Sequence, residues 1–290
     1  MAAVPTPRTA AGRKGLDAIM GEPRRAVLAF DFDGTLAPIV PDPDDARAHP
    51  GAVPALSRLA PRLCAVAVVT GRPAEDAVRY AGLAGAVGLE HLTVLGAYGA
   101  ERWDAATGSV TAAPPPPGVA AVRAELPGLL EDSGAPPGTR IEDKGRAVAV
   151  HTRRTDDPAA ALTLLSGPLH ALAERHGLLV EPGRMVLELR APGADKGAAL
   201  EAYVREVGGG AVLYGGDDLG DLAAFAAVEK LRGEGVPGLL VCSGGGETGE
   251  SVPEIADRAD LVVDGPSGVV RLLESLAGSL GDGADGPDTP

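Results

Sequence analysis

Ala26-Val27-Leu28-Ala29-Phe30-Asp31-Phe32-Asp33-Gly34-Thr35 runs from an unbroken apolar stretch straight into a carboxylate pair and a glycine. Five apolar residues in a row, without polar alternation, suit a strand buried on both faces, as in a parallel sheet covered by helices. The pattern recurs. Residues 64–69 are apolar and end at Thr70-Gly71-Arg72-Pro73. Residues 211–214 end at Gly215-Gly216-Asp217-Asp218-Leu219-Gly220-Asp221. Further strands are predicted at 92–95, 239–242 and 261–263, with helical spacing between them, as over 52–62. The fold class this implies is α/β, a doubly wound parallel-sheet core.

The middle of the chain departs from that pattern. A hairpin is predicted over 103–110 around Thr107-Gly108, followed by the proline run Pro114–Pro117, a linker or hinge composition. Beyond it the order is helix, two strands, helix, two strands. Residues 140–143 pair with 147–152 through Gly145, and 178–181 pair with 185–189 through Pro182-Gly183. Hairpins of this kind build an antiparallel sheet. The expected organisation is a flexible, basic N-terminal segment over 1–25, core over 26–102, an inserted α+β cap over 103–192, core again over 193–280, and a disordered tail over 281–290.

Length and charge narrow the function. At 290 residues the chain can bury two cores. Its formal net charge of −14 argues against nucleic acid, whose phosphates are gripped by clustered Lys and Arg. No apolar run has the length of a membrane span, and the first 25 residues lack the apolar region of a signal peptide. A cytoplasmic protein without a membrane partner is expected, and a monomer, because no long exposed apolar element stands out. Cys64 and Cys242 sit in apolar runs and read as buried thiols, not a disulfide.

Open parallel sheets bind ligands at the carboxyl ends of their strands. If the strands above are neighbours, Asp31, Asp33, Asp217, Asp218 and Asp221 converge on one crevice. Such like charges repel strongly in a shielded site unless a cation is present. Magnesium suits it, since it takes oxygen ligands and keeps waters that a phosphate can displace. Each piece alone has a plainer reading: the Asp pair as a solvated turn or helix cap, Thr70 as a cap ahead of Pro73, Lys196 as a surface lysine at a helix start. Their joint occurrence, in order, is the specific signal.

That order resembles the haloacid-dehalogenase-like (HAD) hydrolases. Their DxDxT motif is matched by Asp31 to Thr35, their strand-terminal Ser or Thr by Thr70, their lysine by Lys196 in Asp195-Lys196-Gly197, and their GDDxxD by Gly216 to Asp221. Within that superfamily the chain is similar to trehalose-6-phosphate phosphatases, through DFDGTLAPIV at 31–40, IEDKGRAVAVH at 141–151 and GRMVLELR at 183–190. It departs from them at Gly96-Ala97-Tyr98-Gly99 (usually GSHG), at His151-Thr152-Arg153 (usually HYR), and over Gly216 to Phe225, which reads GDDLGDLAAF (usually GDDxTDExxF), with Gly220 and Leu222 at the differing positions.

The resemblance implies a magnesium-dependent phosphomonoesterase that hydrolyses trehalose 6-phosphate through an aspartyl-phosphate. Asp31 would be the nucleophile and Asp33 the acid and base. Thr70 and Lys196 would stabilise the phosphoryl oxygens. The metal set would be Asp31, Asp33 through its carbonyl, and Asp217, with Asp218 and Asp221 ordering metal waters or holding Lys196. Gly71, Arg72, Glu142, Lys144, Arg153 and Glu188 would bind substrate. Glu142 and Lys144, two apart on a strand, share a face, which Glu188 could join from a neighbouring strand. A trehalose-phosphate synthase would act upstream. The alternatives are a phosphatase for another sugar phosphate and a non-catalytic sugar-phosphate sensor on the same fold. A dinucleotide fingerprint at 244–249, GxGxxG, is a weaker rival, because the helix it must open would contain Pro253.

Overall fold

The computed structural model describes residues 3–112, 114, 116–183, 185–193, 195–244 and 252–282. In chain order these form α1 (Ala10–Gly21), β1 (Ala26–Phe30), α2 (Ala52–Leu59), β2 (Ala65–Val69), α3 (Ala74–Ala81), β3 (Leu92–Gly96), β4 (Glu101–Asp104) and β5 (Ser109–Ala112). Then come α4 (Pro117–Asp132), β6 (Arg140–Asp143), β7 (Ala147–His151), α5 (Pro158–Arg175), β8 (Leu179–Gly183) and β9 (Val186–Arg190). The chain closes with α6 (Lys196–Glu206), β10 (Ala211–Gly216), α7 (Leu222–Gly233), β11 (Gly238–Gly244), α8 (Pro253–Arg258), β12 (Leu261–Asp264) and α9 (Gly265–Asp282). Two units result, one over 1–111 with 195–290, the other over 112–194.

The first unit is built on an eight-stranded sheet, ordered β12-β11-β10-β1-β2-β3-β4-β5. It is parallel from β12 to β3, and β4 returns antiparallel to β3. Along β1 every residue is buried, and alternate side chains serve opposite layers. Leu28 and Phe30 join the layer containing Leu56 and Leu273. Val27 and Ala29 join that containing Leu200 and Phe225. This two-sided burial explains why β1 carries no polar residue until its carboxyl end. There it lies between β10 and β2, so three motif loops leave one edge of the sheet together.

The second unit has its own sheet, ordered β6-β7-β9-β8 and antiparallel throughout. Val148 and Val150 of β7 and Leu187 and Leu189 of β9 pack against Val122 and Leu126 of α4 and Leu165 and Leu169 of α5.

Three expectations need correction. Within 1–25 the described residues, 3–25, contain a docked helix and are not a loose segment. Thr9 caps α1, its hydroxyl accepting from Gly12 N at 2.9 Å and donating to Asp260. A Cβ on Gly15 would stand 1.8 Å from the Gly238 carbonyl, so this glycine permits the helix to lie directly on the strand backbone. The hairpin at 103–110 belongs to the core sheet as β4 and β5, and the inserted unit begins at 112. Of the tail over 281–290, Gly281 and Asp282 end α9, and the remainder lies outside the described residues. Most of the glycine run at 244–249 lies outside them too. The helix that follows starts at Pro253 itself, in the first-turn position proline tolerates. Both thiols are free, and burial pushes Cys242 up to about 11. Among the described residues no helix is long and apolar enough to cross a membrane.

Candidate active site

The first motif loop leaves β1 at Asp31, whose N–H donates to the Gly215 carbonyl of β10 at 2.8 Å. The loop then turns back on itself, with Gly34 N donating to Ala37 O at 2.7 Å. Gly34 holds φ at 79°, and a Cβ there would come within 2.0 Å of an Asp217 carboxylate oxygen. Glycine alone allows this turn to pass so close to the GDDxxD motif. Ser243 Oγ fixes it from β11, donating to Gly34 O at 2.7 Å.

Lys196 opens α6 behind the Asp195 cap. Its ammonium lies 2.9 Å from Asp31 Oδ1 and 2.8 Å from Asp221 Oδ1, and all three side chains are buried. Tyr214 Oη donates to the same Asp221 oxygen at 2.6 Å. The other Asp221 oxygen accepts from Asp217 N at 2.9 Å and Asp218 N at 3.3 Å. Both oxygens of Asp221 are thus committed to donors, and its geometry fits holding Lys196. Asp218 accepts from Gly220 N at 2.9 Å and caps the short turn after β10, a bond that any residue but proline could donate.

Oxygens of Asp31, Asp217 and Asp221 lie within 4.8 Å of one another. Burial raises Asp31 well above the ordinary carboxylate range; Lys196 opposes this, and Asp221, Asp218 and Asp33 add to it. Burial, then Asp218 and Asp31, raise Asp217 likewise. Burial, then Asp221, raise Asp218. For Lys196 burial works against the charge, yet Asp221 and Asp31 outweigh it and hold the ammonium firmly protonated. One ammonium against this many acids leaves a crevice that a hard cation would complete, and the donors are all oxygen.

Thr70 is buried at the end of β2, its hydroxyl accepting from Arg72 N at 3.2 Å. Arg72 Nε and Nη2 each donate to one oxygen of Asp33 at 2.7 Å, a two-toothed grip. The loop containing Gly71 is held from β3: Ala97 N donates to Arg72 O at 2.7 Å and Tyr98 N to Thr70 O at 2.9 Å. Ala97 and Tyr98 both take left-handed conformations, with φ of 47° and 58°. Two consecutive non-glycine residues there are strained, as is common beside functional loops.

The structure therefore brings together Asp31, Asp33, Thr70, Gly71, Arg72, Lys196, Asp217, Asp218 and Asp221. Glu142, Lys144, Arg153 and Glu188 belong to the second unit. There Glu142, Ala149, Glu188 and Glu181 stand opposite one another across four strands and share a face. Lys144 Nζ bonds Glu188 Oε2, and His151 bonds Glu142 Oε2 at 2.6 Å. Glu188 Oε1 is buried without a hydrogen-bond partner among the described residues. Arg153 is half-buried in the turn after β7. Thr152 is fully buried and bonds Pro158 O at 2.9 Å, a packing role. Sequence reasoning assigned no role to Tyr214, Ser243 or His151. A lone tyrosine inside an apolar strand, Tyr214, is the one of these that burial logic could have singled out, since a buried phenol needs an acceptor.

Comparison with known proteins agrees with this geometry. A trehalose-phosphatase family profile matches residues 29–253. The trehalose-phosphate phosphatase of Mycolicibacterium paratuberculosis is 36% identical over 92% of this chain and 65% of its own length. The chain thus spans less than two thirds of that relative's length. The C-terminal domain of Candida albicans trehalose-6-phosphate phosphatase superposes with a TM-score of 0.69 at 20% identity, covering 96% of this chain and 99% of that domain. The C-terminal domain of the C. albicans trehalose synthase regulatory protein does so at 0.62 and 15% identity, covering 87% and 93%. At these identities the two structures show the shared fold alone. The match over 29–253 takes in all four motif loops and the whole inserted unit, and by it the chain belongs to the trehalose-phosphatase family.

Proposed function

We propose that this chain hydrolyses trehalose 6-phosphate to trehalose and phosphate, with Asp31 as the nucleophile. The observation that carries the reading is Lys196, buried between Asp31 and Asp221 beside Asp217. A fixed ammonium against a buried carboxylate suits transfer of a dianionic phosphoryl group, where positioning and charge stabilisation dominate. A C. albicans regulatory domain shares the fold, so fold alone does not separate an enzyme from a sensor. Every charged position of the four HAD motifs is kept here, and that favours the enzyme.

In the first half-reaction an Asp31 oxygen bonds to phosphorus as the bond to the sugar oxygen breaks. Asp33 gives that oxygen a proton. In the second, Asp33 takes a proton from the water that attacks the aspartyl-phosphate, freeing Asp31 and phosphate. Thr70 Oγ and Lys196 Nζ donate to the phosphoryl oxygens throughout. Asp31, the Asp33 carbonyl and Asp217 would hold magnesium, which when bound supplies positive charge against the phosphoryl group. Asp218 and Asp221 serve from behind, shaping the turn and holding Lys196.

Glu142, Lys144 and Glu188 read the distal sugar. Carboxylates and an ammonium on one face are apt partners for hydroxyls, and the unpartnered Glu188 Oε1 is a buried acceptor that a hydroxyl would satisfy. Gly71, Arg72 and Arg153 complete the proposed substrate contacts. The enzyme would act in the cytoplasm after a trehalose-phosphate synthase. Phosphate release from trehalose 6-phosphate, compared between wild type and Asp31→Asn, tests the reading. A wild type without release, or a variant with half its rate, would overturn it.

A further inference from the structure

We propose that Tyr80, outside every motif, is a positioning residue: its ring holds the Arg72 guanidinium that fixes Asp33. The kinetic part of this proposal rests on the activity proposed above. Tyr80 lies in the last turn of α3 and is 8% exposed. Its hydroxyl donates to Asp44 Oδ1 at 3.1 Å and accepts from Arg79 Nη2 at 3.0 Å, so the ring is pinned at its far end. The Arg72 guanidinium carbon lies 5.1 Å from the ring centroid and 5.7 Å from that of Phe32. The guanidiniums of Arg47 and Arg79 also lie near the ring, at 5.0 and 4.7 Å, but both residues are exposed. The Arg72 side chain is only 11% exposed. A cation over an aromatic face gains most where water is excluded, so Arg72 is the partner that depends on the ring.

The consequence runs on to Asp33. Arg72 grips both oxygens of that carboxylate, and a planar fork can do this only while its own plane is held. The ring supplies that restraint, and lysine could neither fork nor stack. Proton transfer is sensitive to displacements on the order of an ångström. A loosened Arg72 therefore slows turnover.

The test is steady-state hydrolysis of trehalose 6-phosphate by the full chain, with the Arg72 Nε–H signal followed by NMR. Tyr80→Leu should lower kcat about 3- to 30-fold, with the Arg72 signal shifted. Tyr80→Phe, which keeps the ring, should restore both. In an Arg72→Lys background Tyr80→Leu should add almost nothing, because the two act in series. If Tyr80→Leu does not fold, Tyr80→Phe with a stepwise-fluorinated ring keeps the shape and weakens the negative face, and kcat should fall with each fluorine. An undiminished loss in the Arg72→Lys background, or an Arg72 signal indifferent to the ring, would overturn the proposal. A wild type that hydrolyses nothing, with an Arg72 signal that still depends on the ring, would overturn the proposed activity and uphold the placement of Arg72.

Discussion

Lys196 Nζ and Asp221 Oδ1 stand 2.8 Å apart in the interior, and Asp221 has no exposed surface at all. An acid this deep serves by holding the lysine that faces Asp31. Neutralising Asp221 takes one of two carboxylates from Lys196, which keeps Asp31, so the cost falls below the roughly 3–5 kcal/mol of a fully uncompensated buried charge. Asp221→Asn should therefore lower unfolding stability, by less than that, in urea titrations. A variant as stable as wild type would show that the pair is not structural.

Asp31, the proposed nucleophile, gives a sharper effect on rate. Asp31→Asn keeps the size of the side chain and removes the attacking oxygen. Turnover should fall at least ~10³-fold, about 4 kcal/mol of barrier. Quenched-flow release of phosphate measures it, and a variant retaining half the rate would place the nucleophile elsewhere.

The raised acids give a pH dependence with a definite sign. Burial, then neighbouring charges, hold the Asp31 and Asp217 carboxyls above their ordinary range. The folded chain thus keeps protons that the unfolded chain has lost. The stability these groups contribute is full below the unfolded value of about 4 and declines as pH rises toward the raised folded values. Magnesium held as proposed would compete with those protons and relieve the repulsion that follows their loss. Calorimetry should show the gap in Tm between magnesium-saturated and chelated protein widening as pH rises out of the carboxylate range. A gap that narrows with pH would contradict a metal held by these acids.

Sugar reading separates from phosphate chemistry by substrate. Losing a buried hydrogen bond to a charged group costs roughly 1.5–3 kcal/mol, or about 10- to 150-fold. Glu142→Ala, Lys144→Ala and Glu188→Ala should each lower kcat/KM for trehalose 6-phosphate by that order. Hydrolysis of a small aryl phosphate, which has no distal sugar, should hardly change. Equal losses on both would assign these residues to folding.

Legibility followed locality. β1 could be read because two-sided burial writes an unbroken apolar run, and its motif because Asp31 follows at once. α1 was missed because it docks through Gly12 and Gly15, residues that ordinarily weaken a helix and here admit Asp260 and the Gly238 carbonyl. The β4–β5 hairpin was recognised as a hairpin, but nothing in Glu101–Asp104 says which sheet it extends. Arg72 on Asp33 and Tyr214 on Asp221 join residues on different elements or on a strand and its following turn. Such pairings follow from how β1, β2 and β10 lie side by side, which spacing along the chain does not carry.

The most direct measurement is phosphate release by the magnesium-loaded chain from trehalose 6-phosphate, sucrose 6-phosphate and glucose 6-phosphate in parallel. Trehalose 6-phosphate should give the highest kcat/KM, and chelation should abolish release from all three. A folded, magnesium-loaded protein that releases no phosphate from trehalose 6-phosphate, or prefers another of the three, would contradict the assignment.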